Sequence, residues 1–453
     1  MRAPPHLARL PKQGALCIVG NVMANLVIDR VRVVDPARGR DEIADLVIRD
    51  GILQPEGASE EGLPHLPAAG FIAAPGFWDV HVHFRDPGNA AAETRRTGAA
   101  AAAAGGFTRV VTMPNTVPAG DSPAWVREQI GDDLPVRILP SACVTRGRLG
   151  AEVADLEALA GAGAAAFTDD GAMVADDAVM RAAMLRAKAL GKPVMDHAVV
   201  PCIAKNGIIR DCSLAQRADL PLFPPEAEVD AVLRDIRLCR ETGCAIHIQH
   251  ISCAASVAAI RVARAEGLPV TGEASPHHLA IAAEDIPSDD GNWRMNPPLG
   301  THEDVRAIRD GVLDGTLTLF ATDHAPHTAE TKNNGFLNAA FGIIGLETAI
   351  GVTWEVMVEG EGLSVLEWVA RWTTGPAALL GLPAPTFEAG AAADFVLINP
   401  CVSWRVDPDD FRSLSRNTPF ADWLLHARPE LTVCEGRVTF ASKDARSILK
   451  INP

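Results

Sequence analysis

At 453 residues the chain exceeds what one ordinary core fills, which predicts a domain of roughly 250 to 350 residues with a smaller companion. Hydrophobic residues make up 48% of the sequence, yet no window nears the ~18 uninterrupted apolar residues that span a bilayer, which argues against a membrane protein. A formal charge of −16, with only seven lysines, works against binding a phosphate backbone and argues against nucleic acid as a partner.

Taken in chain order, the first segment, 1–20, carries Pro4, Pro5 and Pro11, lacks the apolar centre of a secretory signal, and reads as an N-terminal extension. Nine cysteines lie scattered with no CxxC, the usage of reduced thiols, so a cytoplasmic address is expected. LVIDRVRVV and ADLVIRDGIL then predict short strands, and DFVLINP, SWRV and LTVCEGRVTF predict more near the other end. Together they predict a small β-sandwich domain built from both termini, 21–73 with 385–453.

The intervening stretch, 74–384, alternates apolar runs with amphipathic helices. Candidate strands are 77–83, 109–115, 136–144, 164–170, 193–198, 245–252, 269–275 and 317–323. Among the helices between them, Glu226–Thr242 keeps Val229, Val232, Leu233, Ile236 and Cys239 at helical spacing before Gly243 stops it. Eight βα units over about 250 residues predict an α/β fold of the TIM type, a (β/α)8 barrel with its chemistry on the loops after the strands. An open doubly wound sheet is the alternative, but its glycine-rich phosphate turn after the first strand is missing. Residues 346–361 and 363–380 read as packing helices, with Trp354, Trp368 and Trp372 in the core.

The strand ends carry the chemistry. In PGFWDVHVHFRDPG, His81 and His83 stand two apart, so both imidazoles share one face of a strand and can reach one cation. Asn115 ends the second strand, Asp170 the fourth, His197 the fifth, His250 the sixth and Asp323 the eighth. In a closed barrel these side chains converge on one mouth, with enough imidazole and carboxylate for two zinc ions. Taken singly, each has a plainer reading. Asp169 and Asp170 could form a turn or helix cap, Asp323 could cap the next segment, and His197 and His250 could be satisfied interior histidines. His247, His277, His278 and His324 read as structural or supporting. Arg85, two residues beyond His83, offers a planar guanidinium that can grip a substrate carboxylate. Its plainer reading is a salt bridge with Asp86. Residues 327–340, rich in Thr, Asn and Lys, read as a loop able to close over substrate.

The ordered motifs PGFWDVHVHFRDPG, GGFTRVVTMPNTVPAGD, AFTDDG, HISC, SPHHL, MNPPLG, ATDHAPH and FGIIGLET resemble those of type I dihydroorotases in the amidohydrolase superfamily, over nearly the whole chain. The resemblance implies that His81 and His83 hold one zinc, that His197 and His250 hold the other, that Asp170 bridges them and that Asp323 completes the first site. Many relatives bridge with a carboxylated lysine, but no lysine lies between Lys12 and Lys188. The implied reaction is the reversible cyclisation of N-carbamoyl-L-aspartate to L-dihydroorotate in pyrimidine synthesis, through a hydroxide shared by two zinc ions, with Asp323 as base and then acid. His83, Arg85, Asn115, Asn296, His327, Phe341 and Gly342 are the implied substrate contacts. A homodimer is expected, with aspartate transcarbamoylase as a candidate partner. The chain departs from the family pattern at Ala198, Val199 and Val200, where Cys-Glu-Asp is common, at Gly300, where arginine is usual, and in the less polar stretch 89–92. Two alternatives stay open: another cyclic amidohydrolase of hydantoinase or allantoinase type, and a non-catalytic partner of aspartate transcarbamoylase.

Overall fold

The computed structural model describes residues 22–131 and 133–449, so the extension expected over 1–20 lies outside the described residues. Eight parallel strands stand side by side in the order in which they occur along the chain: Phe77–Val82, Phe107–Thr112, Arg137–Ala142, Ala166–Phe167, Val194–Asp196, Ile246–Ile248, Val270–Ala274 and Leu319–Phe320. A parallel bridge between Val82 and His324, with His83 N donating to His324 O at 2.8 Å, brings the eighth strand's end back to the first. Each expected strand falls on one of these, and the TIM-type barrel is the fold.

The ladders are shorter than the expected runs because the polar residues at their ends leave the extended conformation. His250 has φ of 31° and Asp323 of 49°, left-handed values uncommon outside glycine, and they end pairing after the sixth and eighth strands. Sequence alternation marks where a strand emerges from the core; backbone geometry sets where its hydrogen bonds stop.

The helices cover the barrel as their apolar stripes dictate. Glu226–Thr242 ends at Gly243, whose φ of 66° costs a residue without Cβ little. Its buried stripe runs through Ala231, Val232, Ile236, Leu238 and Cys239, while Leu233, expected on that face, is 50% exposed. Trp368 and Trp372 are fully buried, and Trp372 stacks on Phe77 at 6.1 Å and meets Phe107 and Phe320 edge-on or tilted at 5.3 Å. They are core, as expected.

Strands from both chain ends form one continuous sheet in the order Arg437–Ala441, Arg428–Cys434, Phe395–Asn399, Ile72–Pro75, Leu26–Asp35, Arg40–Arg49 and Ile52–Leu53, with His65–Pro67 also pairing Leu26–Asp35. Leu26, Ile28, Val33, Phe395, Leu397 and Val433 close a second core beside it. SWRV does not join this sheet: Trp404–Arg405 pairs with Leu424–Leu425 as a separate ribbon. Ile72–Pro75 leads within two residues into the first barrel strand, so the start of the His81 and His83 strand is anchored in both cores.

Gly300 has a steric reason. A Cβ there would lie 2.4 Å from the Ser252 carbonyl oxygen and 2.6 Å from Asp304 Cβ, leaving no room for a larger side chain such as the arginine that the resemblance leads one to expect. Gly300→Ala is expected to destabilise the fold by about 1–3 kcal/mol in a denaturant titration, because a backbone carbonyl has to shift.

Candidate functional site

The expected site residues meet at the carboxyl ends of the barrel strands. A cavity of about 240 Å3 there is lined by His83, Asp170, His197, His250 and Asp323 together with Arg85, Asn115, Asn296, His327, Phe341 and Gly342. His81 lies behind it, fully buried. Residues as far apart in sequence as His83 and Gly342 thus reach one space.

Two groups of potential cation ligands share Asp170: His81, His83 and Asp170 in one, Asp170, His197 and His250 in the other. His81 Nε2 lies 3.2 Å from Asp170 Oδ1 and 3.5 Å from Asp323 Oδ1. His83 Nε2 is 3.0 Å from Asp323 Oδ1 and 3.6 Å from Asp170 Oδ2. In the second group His197 Nδ1 is 2.8 Å from His250 Nε2 and 3.9 Å from Asp170 Oδ1. Asn115 Nδ2 donates to Asp170 Oδ2 at 2.9 Å, and its Oδ1 faces His83 Nδ1 at 2.9 Å, which orients both first-group side chains. The neighbouring Asp169 faces away from both groups and ties two loops together: it accepts from Thr145 N at 3.1 Å and from Thr145 Oγ1.

Electrostatics match a cation. Burial opposes ionisation of Asp170, yet His83 and His81 outweigh it and hold the carboxyl well below the usual carboxylate range. Burial and the adjacent His197 push His250 down to about 3, and burial lowers His197, so both present neutral nitrogens. Ionised carboxylate and neutral imidazole are the forms that bind metals. His81 shows the converse. Burial disfavours its charge, but Glu273, Asp323 and Asp170 surround it and raise it well above the ordinary histidine value, so this point in the site favours positive charge. Its buried Nε2, 3.2 Å from Asp170 Oδ1, makes no well-directed hydrogen bond among the described residues. The residues present fit a cation.

A supporting residue not legible in the motifs is Glu273, on the seventh strand. One oxygen meets His81 Nδ1 at 2.7 Å and accepts from His250 N at 2.9 Å; the other meets His247 Nε2 at 2.9 Å, and His247 Nδ1 is anchored on Thr271 Oγ1 at 2.8 Å. Glu273 therefore fixes one residue from each group at once. Its only sequence signal was a charge inside a buried strand, VTGEA.

At the mouth, Arg85 does not pair with Asp86, whose partner is Arg95 at 3.4 Å. Its Nε donates to Pro326 O at 3.1 Å and Nη2 lies 3.3 Å from His327 Nε2, which itself contacts Phe341 O at 2.6 Å. The segment 327–340 carries two short helices, Ala329–Lys332 and Gly335–Asn338, and the buried Lys332 ammonium donates to the carbonyls of Arg294 at 3.0 Å, Ala340 at 2.8 Å and Gly342 at 2.8 Å. Asn417 Nδ2 bonds Ala325 O and Gly342 O, both at 3.0 Å. Arg294 stacks over Phe341 at 4.0 Å.

A family description of dihydro-orotase-like proteins matches residues 70–256. The curated dihydroorotase of Syntrophotalea carbinolica is 39% identical over 92% of this chain and 100% of its own length, and that of Pelotomaculum thermopropionicum is 41% identical over 93% and 100%. The chain belongs to the dihydroorotase family. The L-hydantoinase of Arthrobacter aurescens superposes with a TM-score of 0.80 at 24% identity, covering 92% of this chain and 96% of that one, a likeness that speaks for the fold. As a dihydroorotase-family member the chain is a hydrolase of cyclic amides, and no helix among its described residues is long and apolar enough to cross a membrane. In this family member Asp170 occupies the position shared by both ligand groups, where the fourth strand has no lysine to offer.

Proposed function

We propose that this chain is a type I dihydroorotase that catalyses the reversible cyclisation of N-carbamoyl-L-aspartate to L-dihydroorotate. The observation that carries the reading is Arg85: a guanidinium with no carboxylate partner among the described residues, on the wall of the cavity that both ligand groups face. Dihydroorotate has a carboxylate to give it; neutral hydantoin and allantoin rings do not.

His81, His83, Asp170 and Asp323 would hold one zinc, and Asp170, His197 and His250 a second. Zinc would supply Lewis acidity and lower the pKa of water from 15.7 to about 7. The chain's own groups do the rest. Arg85, with His327 beside it, binds the carboxylate, while Asn115 and Asn296 line the wall around the ring, their amides held by Asp170 and His83 and by His197. Asp323 is held ionised: burial opposes this, but His81 and His83 prevail. Its Oδ1 is engaged by His83, leaving Oδ2 to take a proton from the attacking water and return it to the leaving ring nitrogen. Phe341 and Gly342 close the mouth.

The same reading places the catalytic unit at 74–384 and the composite β domain at 21–73 with 385–453, in a cytoplasmic homodimer with aspartate transcarbamoylase as candidate partner. Dihydroorotate hydrolysis on purified protein tests it, paired with metal analysis. About two zinc ions per chain and activity abolished by a chelator and restored by zinc are expected. Full activity in stripped protein counts against it. Glu273→Gln is expected to weaken zinc binding by about 10- to 100-fold, read by chelator competition, since it removes the charge that orients His81.

A further inference from the structure

We infer that the chain carries a second ligand site, separate from the catalytic cavity, for a small organic anion: one carboxylate or phosphate on a flat apolar body. The site is a cavity of about 740 Å3 between residues 203–211, residues 221–225 and the start of the helix His302–Leu313. It shares no lining residue with the catalytic cavity.

Two chain segments build its wall. Ile209 and Leu222 form a parallel bridge, Ile208 N donates to Pro221 O at 2.9 Å, and Phe223 N donates to Ile209 O at 2.8 Å. Gly207 permits this approach, since a Cβ there would lie 2.5 Å from both Leu222 O and Phe223 Cα. Val199, Ala204, Phe223 and Ala227 pack into a small apolar cluster under it. Into this apolar setting the chain places Arg210, which is 4% exposed. Its Nε and Nη2 are buried without a hydrogen-bond partner, and the described residues give it no ion pair.

A buried guanidinium without a partner is costly, on the order of several kcal/mol, unless an anion accompanies it. The acids of this region are committed elsewhere. Glu228 accepts from Ser252 N at 3.2 Å, from Ser252 Oγ and from Cys253 Sγ at 3.3 Å. Asp304 accepts from Ala254 N at 2.8 Å and Thr301 N at 2.9 Å. Asp211 is exposed and accepts from Gln216 at 3.0 Å. Asp211 and Asp304 also line the cavity, but no carboxylate among the described residues reaches Arg210 within hydrogen-bond distance, so a direct partner for the guanidinium is left to a ligand. A guanidinium fork matches a carboxylate or a phosphate equally. Phe223, whose ring centre is 5.6 Å from Arg210 Cζ, stands among Pro221, Pro224 and Pro225 as a flat apolar surface for the rest of the molecule, and exposed Lys205 adds positive charge at the rim. The room suits a small metabolite, whose pockets run roughly 300–1,000 Å3.

Calorimetric titration of the full chain with phenyl phosphate, benzoate, inorganic phosphate and benzyl alcohol tests this. Phenyl phosphate or benzoate is expected to bind, the tighter of the two naming the anion, with inorganic phosphate and benzyl alcohol at least about tenfold weaker because each supplies half of the chemistry. Arg210→Gln should weaken the organic anion at least about tenfold, while Arg85→Ala leaves it unchanged. Leu222→Asp, at a half-exposed wall position, brings a negative charge into the cavity without disturbing the core and should weaken it as much; it decides the matter should Arg210→Gln not fold. The inference is overturned if neither organic anion binds, if inorganic phosphate binds as tightly as phenyl phosphate, if Arg85→Ala abolishes binding, or if Leu222→Asp leaves the affinity intact.

Discussion

Asp323→Ala is expected to lower kcat for dihydroorotate hydrolysis by about 10³- to 10⁴-fold while most of the bound zinc stays in place. The separation of the two effects follows from geometry. Both potential ligand groups, His81 with His83 and Asp170, and Asp170 with His197 and His250, are complete without Asp323. Asp323 faces them from the eighth strand's end, with one oxygen on His83 and the backbone held at φ of 49° by the turn that leaves the ladder. Removing it takes away the group placed to carry a proton between water and the ring nitrogen, and leaves the donors that would bind metal. Asp323→Asn, which keeps the shape and loses the proton acceptance, should be nearly as slow. Metal analysis beside single-turnover kinetics checks this. Zinc and turnover falling in parallel would leave Asp323 only its part in holding the first zinc, and a kcat within about tenfold of the parent would remove it from proton transfer.

How much of this was legible in the sequence depends on the range over which each feature is encoded. The eight strands were, because each apolar run between helices is a local signal and ends in a residue that the core does not accept. His81 and His83 share a face for the same local reason. Glu273 was not: its meaning lies in contacts with His81, 192 positions away, and with His247, which no spacing predicts. Asn417 is similar, since its hold on the carbonyls of Ala325 and Gly342 exists only once the far end of the chain has packed against the barrel mouth. Leu233 errs in the opposite way. Helical spacing puts it on the stripe of Glu226–Thr242, yet the neighbouring elements cover a narrower arc and leave it in solvent. SWRV likewise has strand composition, but it pairs with Leu424–Leu425 rather than with the sheet built from both chain ends. Local patterns specify elements; partners at long range decide which sheet they join.

Arg85→Ala should reduce kcat/KM for dihydroorotate by at least about 30-fold and leave a neutral hydantoin within about threefold. The expected asymmetry rests on what surrounds the guanidinium. Its φ of 55° turns the side chain toward the mouth, Pro326 O takes Nε, and His327 lies against Nη2, so the fork is oriented before any ligand arrives. Burial disfavours its charge, and Asp323 and Asp170 only partly compensate; a substrate carboxylate pairing with it completes what these more distant acids begin. Alanine removes that pairing and leaves the carboxylate facing the ionised Asp323 with nothing between them. A neutral ring has no such charge to strand, so its affinity depends on Asn115, Asn296 and the apolar edge of Phe341. Arg85→Lys keeps the charge and loses the planar fork, and it should fall between parent and alanine, mostly through KM. Equal losses for the acidic and the neutral ring would place substrate discrimination on another residue and leave Arg85 a scaffold for the mouth.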